Sequence, residues 1–115
     1  MPTDCIFCKI ARRELDAAVI YEDDQCVAFE DLNPQAPVHV LVIPKKHLAD
    51  FGEADVADAQ LLGHLCQVCE KVAELKGIAA DGYRVVVNKG ALSGQSVFHL
   101  HLHVLGGRPM DWPPG

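Results

Sequence analysis

Basic residues are scarce in this sequence of 115 residues. Ten lysines and arginines stand against sixteen aspartates and glutamates, which gives a formal net charge of −6. The basic residues are scattered, with Arg12-Arg13 and Lys45-Lys46 as the only adjacent pairs. Because affinity for a phosphate backbone comes from many basic side chains acting together, we expect no nucleic-acid partner.

Long apolar runs and an even set of cysteines are also missing. No stretch approaches the roughly 20 apolar residues that span a bilayer, and Met1 to Cys5 carry neither the basic nor the apolar region of a secretion signal. The five cysteines cannot all pair internally, and free thiols suit a reducing compartment. We therefore expect a cytoplasmic protein with no membrane association.

The apolar content is sufficient for one folded domain over residues 1–115. Half of the residues are hydrophobic, and their spacing predicts a short helix within 6–14 and a long amphipathic helix from Asp55 to Lys76. Strands are predicted over 19–21, 26–29, 38–43, 83–88 and 97–105, with a tail over 106–115. One long helix cannot supply repeated parallel crossovers, so we predict an α+β fold with a five-stranded antiparallel sheet.

Three of the six histidines lie in the last predicted strand, at His99, His101 and His103. Alternate side chains of a strand share a face, so these imidazoles should lie opposite an apolar row. Neighbours on one face are about 6.7 Å apart, and two charged imidazoles at that distance would repel by about 2.5 kcal/mol at an effective dielectric constant near 20. We therefore expect neutral rings that can bind a metal or act as a nucleophile or base. The apolar row is Phe98, Leu100, Leu102 and Val104.

The segment before this strand favours a phosphate over a catalytic metal. Gly94-Gln95-Ser96 combines glycine freedom with a hydroxyl, which suits a loop that binds an oxyanion. A catalytic zinc usually works with a carboxylate, yet no Asp or Glu occurs from Gly82 to Met110. A metal-dependent hydrolase nevertheless remains an alternative, because the fold could bring in a distant carboxylate.

Several segments resemble the histidine triad family. His99 to Leu105 fits its His-φ-His-φ-His-φ-φ motif, where φ is apolar, while Cys5 to Ile10 and Pro37 to His47 are similar to its N-terminal segment and central strand. Leu105 to Gly115 is similar to the tail of the Hint branch. The resemblance implies a phosphoramidase that hydrolyses purine nucleoside phosphoramidates without a catalytic cofactor. It also implies a homodimer whose two sheets join into one.

The resemblance also assigns roles to individual residues. It implies that His101 attacks the α-phosphorus and becomes nucleotidylated, that His103 and His39 lie beside the phosphate, and that His99 supports His101. The loop residues implied to hold phosphate oxygens and the leaving group are Asn88, Gly94, Gln95 and Ser96. The residues implied to contact the nucleoside are Ile6, Phe7, Ile10, Phe29, Asp31 and Leu32, with Asp31 accepting the ribose hydroxyls.

The cysteine pair Cys5-x-x-Cys8 could be redox-active, could form half of a metal site, or could pack. A redox pair normally follows a strand, and only four residues precede Cys5. Some bacterial relatives bind a structural zinc at positions that correspond to Cys5, Cys8, His47 and His99, so the resemblance predicts such a site. The second pair, Cys66 and Cys69, falls in the apolar stripe of the long helix, and we expect it, like Cys26, to pack as small hydrophobes in the core or at an interface.

Two other functions use the same residues. The protein could be a nucleotide-binding regulatory module with vestigial hydrolysis, or a dinucleoside polyphosphate hydrolase. The preference for the leaving group is also open, because a bulky Leu92 borders the phosphate loop.

Overall fold

A computed structural model describes residues 5–115; residues 1–4, on which the expectation of no secretion signal partly rests, lie outside the described part. It contains a five-stranded antiparallel sheet of β1 (Val19–Glu22), β2 (Cys26–Glu30), β3 (Val38–Pro44), β4 (Tyr83–Val86) and β5 (Leu102–Gly106). The strand order is β1-β2-β3-β5-β4. With the helices α1 (Ile6–Ala11) and α2 (Ala59–Leu75), this arrangement confirms the predicted α+β fold.

The long helix α2 begins later than the sequence predicted. Residues Val56–Asp58 form a 3-10 turn instead, and Asp55 caps that turn through a reciprocal capping box with Asp58. At the other end, Gly77 takes a φ of 74°, a left-handed conformation that glycine adopts at little cost. The predicted glycine stop is therefore confirmed.

The sheet separates two apolar layers of unequal size. Residues Ala28, Val40 and Val42 face α2 and belong to the larger core. The alternate positions of β2 and β3 point to the opposite face, where Phe7 of α1 packs against Phe29 with ring centroids 5.5 Å apart. Both faces of β3 are covered, as its continuous apolar run predicted.

The last strand is shorter than predicted. The pairing of β5 with β3 ends at Val42 and Leu102, two residues before Pro44, which has no amide hydrogen to donate. The backbone bends over 97–99, and the N–H of Leu100 donates to the carbonyl of Leu48 at 2.6 Å. Phe98 therefore leaves the apolar row and is 61% exposed, which corrects its predicted place in that row.

Other boundaries also shift. α1 ends at Ala11 and β4 at Val86, while Gly106 closes β5, so the tail begins at Gly107. Cys26 and Cys69 are buried as predicted, but Cys66 is exposed and does not pack in the core. Over the described range 5–115, no helix has the length and apolarity needed to cross a bilayer.

Candidate active site and metal site

Most of the residues predicted to contact the substrate line one cavity of about 420 Å³ on the α1 side of the sheet. Its lining also includes residues that the sequence did not single out, among them Gln35, Leu41 and Val97. Asn88, Gly94 and Gln95 do not line this cavity. The expected residues that do are Ile6, Phe7, Ile10, Phe29, Asp31, Leu32, His39, Ser96, His101 and His103.

His101 is held in one tautomer by a backbone contact. Its Nδ1 lies 2.7 Å from the carbonyl oxygen of His99, and because a carbonyl only accepts hydrogen bonds, Nδ1 carries the proton. When this ring is neutral, the lone pair is therefore on Nε2. The edge of Phe7 supports the ring with a centroid separation of 5.2 Å. The support from His99 thus comes through its backbone and not through its side chain.

His39 and His103 form a hydrogen-bonded pair whose direction is fixed by the backbone. The N–H of Gln35 donates to Nδ1 of His39 at 3.0 Å, which leaves the proton of the neutral His39 ring on Nε2. That Nε2–H donates to Nδ1 of His103 at 2.9 Å. The proton of His103 is consequently on its Nε2, a buried atom that has no hydrogen-bond partner in the described part of the chain.

Burial keeps this pair neutral. It lowers the pKa of His103 to about 4, with further lowering from His101 and His39. It also lowers the pKa of His39, although the nearby carboxylate of Asp31 opposes the shift. His103 lines the cavity, and its buried Nε2–H is an uncharged donor suited to an oxygen that carries negative charge.

Asp31, His39 and His103 are close enough to be considered as metal ligands, but their hydrogen bonds do not suit that role. The Gln35 amide occupies the lone pair of Nδ1 of His39, so Nε2 of the neutral ring has a proton and no lone pair for a metal. Asp31 lies 3.4 Å from this Nε2 and accepts the amide of Asn33 at 2.8 Å. The three residues are better suited to hydrogen bonding with a ligand.

The loop before His99 is organised by the side chain of Gln95. Its Oε1 accepts the N–H of Gly90 at 2.9 Å, and its Nε2 donates to the carbonyl oxygens of Ala49 and Val97 at 2.8 and 3.1 Å. The sequence did not indicate this role, because the partners are set by the folded loop. The bonds place Ser96, an exposed residue, at the wall of the cavity.

The backbone amides expected to hold phosphate are partly used inside the loop. The N–H of Gly94 donates to Ala91 at 3.1 Å, and that of Gln95 donates to Gly90 at 3.3 Å. Gly94 has a φ of 87°, which explains the glycine there. Direct phosphate contacts by Gly94, Gln95 and Asn88 remain predictions.

Cys5, Cys8, His47 and His99 form a four-residue cluster whose ligand atoms all lie within 4.8 Å of one another. The Nδ1 atoms of His47 and His99 are 3.2 Å apart, and the nitrogen-to-sulfur distances are 3.3 to 3.5 Å. A tetrahedral zinc with bonds of about 2.0–2.1 Å to nitrogen and about 2.3 Å to sulfur separates such atoms by about 3.3 Å and about 3.5 Å. The cluster therefore fits the size of a zinc ion.

The protonation states of the cluster residues also suit the binding of a cation. Nε2 of His99 donates to the carbonyl of Pro44 at 2.8 Å, so the lone pair of Nδ1 points into the cluster. Histidines that bind metals commonly donate their other ring N–H to a carbonyl in this way. Burial and the neighbouring Cys5 raise the pKa of the Cys8 thiol to about 11. A bound cation would stabilise the thiolate that this environment otherwise disfavours.

The sixth histidine, His64, lies outside both sites. Its Nε2 is 2.6 Å from Oδ2 of Asp23, and the same oxygen accepts the hydroxyl of Tyr21 at 2.9 Å. Oδ1 of Asp23 accepts the amides of Gln25 and Cys26. This network connects the β1–β2 turn to α2 and has a structural role.

Comparison with known proteins agrees with the fold. An uncharacterized HIT-like protein of Synechocystis is 59% identical over the full length of both chains. A HIT family hydrolase from Legionella pneumophila has a TM-score of 0.95 and 47% identity, covering 97% of this chain and 100% of that one. A histidine triad nucleotide-binding protein from Candida albicans has a TM-score of 0.83 and 30% identity, covering 96% of this chain and 83% of that one. The HIT domain profile matches residues 12–110, and the chain therefore belongs to the HIT domain family.

Proposed function

We propose that this protein is a Hint-type hydrolase that cleaves the P–N bond of purine nucleoside phosphoramidates. The observation that carries the proposal is the contact between Nδ1 of His101 and the carbonyl of His99, which places the lone pair of a neutral ring on Nε2, in a residue that lines the cavity. A neutral imidazole with a fixed lone pair is a competent nucleophile toward phosphorus. The similarity to proteins named HIT family hydrolases supports the reaction class.

The first step forms a covalent intermediate. Nε2 of His101 attacks the α-phosphorus, the P–N bond to the leaving amine breaks, and the amine departs with its electron pair and takes up a proton. The neutral Nε2–H of His103 donates to a phosphoryl oxygen, and the hydroxyl of Ser96 donates to another. Such donors, already oriented before the reaction, lower the energy of charge developing on the oxygens.

The second step releases the product. Water attacks phosphorus, the bond from phosphorus to Nε2 of His101 breaks, and the water loses a proton as the nucleoside monophosphate forms. His101 returns to its neutral tautomer because its Nδ1–H stays on the His99 carbonyl. Asp31 accepts the ribose hydroxyls, while Phe7, Ile10 and Phe29 contact the purine, in agreement with the apolar side of the cavity.

The turnover of a fluorogenic adenosine phosphoramidate, measured together with AMP binding by calorimetry, tests this proposal. We expect both turnover and binding. Binding of AMP without hydrolysis would instead support a regulatory nucleotide-binding module. Hydrolysis of dinucleoside polyphosphates with no turnover of the phosphoramidate would support the other alternative.

We also propose that Cys5, Cys8, His47 and His99 hold a structural zinc. Its chemistry would be to neutralise two thiolates and to tie α1 to the segment before β5. The distances in the cluster and the lone pair of His99 support this assignment. The ion is not required for the hydrolysis proposed above, because the lone pair of His101 and the donor of His103 arise from hydrogen bonds alone.

We further propose a cytoplasmic homodimer. β4 is an end strand of the sheet, and its Val85 side chain is 40% exposed, so its unpaired backbone groups could pair with the same strand of a second copy. Sedimentation velocity at micromolar concentration tests the dimer, with Val85→Pro expected to give monomers. Five free cysteines suit the reducing cytoplasm.

A further inference from the structure

The tail after β5 folds back against the turn that precedes β3. Gly107 has a φ of 91°, and a β-carbon at this position would lie 2.9 Å from the β-carbon of Pro37, so this close approach depends on glycine. The next residue, Arg108, reaches along the same turn. Its Nη2 and Nε both donate to the carbonyl oxygen of Gln35, at 2.9 and 3.3 Å. The mechanism proposed above assigns no role to this contact.

Gln35 is held at three points. Its carbonyl accepts from Arg108, its side-chain Nε2 donates to the carbonyl of Asn33 at 3.0 Å, and its backbone N–H donates to Nδ1 of His39 at 3.0 Å. The carbonyl and the N–H lie on either side of one α-carbon, so an anchor on the first restricts the direction of the second. Arg108 therefore helps to aim the amide that fixes the tautomer of His39.

The hydrogen bond between the rings of His39 and His103 has two possible directions when both rings are neutral. With the Gln35 amide on Nδ1 of His39, Nε2–H of His39 donates to Nδ1 of His103, and the proton of His103 is on Nε2. In the reverse direction, Nδ1–H of His103 donates to Nε2 of His39, and Nε2 of His103 has a lone pair. Only the first direction gives His103 a donor for a phosphoryl oxygen.

We propose that Arg108 is a positioning residue for the reaction, because it keeps the Gln35 amide on His39. The proton of His103 then stays on Nε2 before the substrate arrives, and such orientation in advance is what makes a donor effective toward developing negative charge. The proposal rests on the phosphoramidase function and extends it to a residue of the tail. Arg108 does not line the cavity, so it acts on the reaction through Gln35.

Nitrogen-15 NMR of the histidine rings at pH 7.5 tests this direction without any substrate. In the wild-type protein, His39 and His103 should both carry their proton on Nε2. In Arg108→Ala the Gln35 amide loses its anchor, so the signals of both rings should shift toward the form with the proton on Nδ1. Arg84→Ala is the matched control and should keep the wild-type tautomers, because Arg84 also donates to a backbone carbonyl of the tail, that of Asp111 at 2.9 Å.

The kinetics provide a second readout. Arg108→Ala should lower kcat for adenosine phosphoramidate by roughly 3- to 10-fold, in proportion to the lost population with the active direction. KM should change by less than about twofold, since the residues proposed to contact the nucleoside are intact. Gly107→Ala keeps the guanidinium but pushes the tail away from Pro37, so it should have the same effects on the tautomers and on kcat.

The outcomes separate this inference from the proposed function. Wild-type tautomers in Arg108→Ala, or altered tautomers with an unchanged kcat, would overturn the inference and leave the phosphoramidase function standing. No turnover by the wild-type protein would overturn the function, while the ring signals would still show whether Arg108 sets the direction of the His39–His103 hydrogen bond.

Discussion

The carbonyl oxygen of His99 lies 2.7 Å from Nδ1 of His101, while the ring of His99 belongs to the cysteine–histidine cluster. One residue therefore contacts both sites, its backbone fixing the tautomer of His101 and its Nδ1 facing Cys5 at 3.3 Å. The three histidines of the motif consequently divide between two environments. His99 faces the cluster, while His101 and His103 line the cavity with ring centroids 4.9 Å apart.

Replacing His101 should separate chemistry from binding. We expect His101→Ala to abolish turnover of adenosine phosphoramidate while AMP binding changes by less than about tenfold, because the lost group acts on the phosphorus and not on the nucleoside. Steady-state kinetics and calorimetry measure the two quantities. His64→Ala, a histidine outside both sites, is the control and should keep its activity. A comparable loss of turnover and binding in His101→Ala would make His101 a binding residue.

The hydroxyl of Ser96 should contribute more to the rate of the reaction than to the stability of the fold. Ser96→Ala should lower kcat by a factor on the order of 10 to 1000, as the loss of one oxyanion donor does. Ser93→Ala is a matched control on the same loop, since the Ser93 hydroxyl donates to Gly90 at 2.7 Å and lies outside the cavity lining. An unchanged rate in Ser96→Ala would remove this residue from the phosphate site.

Removal of one cluster residue should release the proposed zinc. His47→Ala should lower the zinc content of the purified protein from about one ion per chain toward zero, and should lower the melting temperature by several degrees, because the α1 segment loses its attachment. Elemental analysis and calorimetry provide the two readouts. Cys66→Ser, in the exposed position of the other Cys-x-x-Cys pair, should retain the metal. Equal zinc content in wild type and His47→Ala would contradict the site.

The neutral His103 should make the fold sensitive to acid. Burial lowers its pKa to about 4, so below about pH 6.5 the unfolded chain binds a proton that the folded protein does not. Stability is therefore lost as the pH falls from about 6.5 toward 4, by up to about 3 kcal/mol for this residue. Urea unfolding between pH 7.5 and 4.5 measures how the free energy of unfolding changes with pH. The His103→Gln variant should show a weaker dependence on pH. Parallel curves for the two proteins would contradict the buried neutral state.

The sequence predicts the sheet and α2 well because these elements follow simple periods. The apolar stripe of α2 contains Leu65, Val68 and Val72, all of which are buried, and Gly77 ends the helix with a positive φ. The continuous apolar run of β3 also predicts a strand covered on both faces. The local spacing of apolar residues is sufficient to predict these elements, even where their contacts with distant residues are unknown.

The alternation of histidine and apolar residues was a less reliable guide to the residues just before the start of β5. It placed the buried Leu100 correctly in the apolar row, but it also assigned the exposed Phe98 to that row and extended the strand to Val97. The strand stops because Pro44 on β3 has no N–H to donate, and the chain then pairs with Leu48 instead. A pattern within one strand contains no information about where its neighbour stops pairing.

The resemblance named most of the residues that line the cavity, but it did not describe how they are oriented. His39 and His103 are 64 positions apart, and their pairing depends on the fold. The amide of Gln35 and the side chain of Gln95 set the proton of His39 and the shape of the loop, yet neither carries a sequence signal for that role. Such contacts depend on the tertiary structure.

The covalent intermediate on His101 is the central claim, and intact-mass spectrometry of the protein quenched during turnover tests it most directly. With adenosine phosphoramidate in excess, we predict a transient species heavier by one adenylyl group, with the adduct mapped to His101 by peptide fragmentation. The species should be absent from His101→Ala. Steady turnover by the wild-type protein with only unmodified mass, or with the adduct on another residue, would contradict the account.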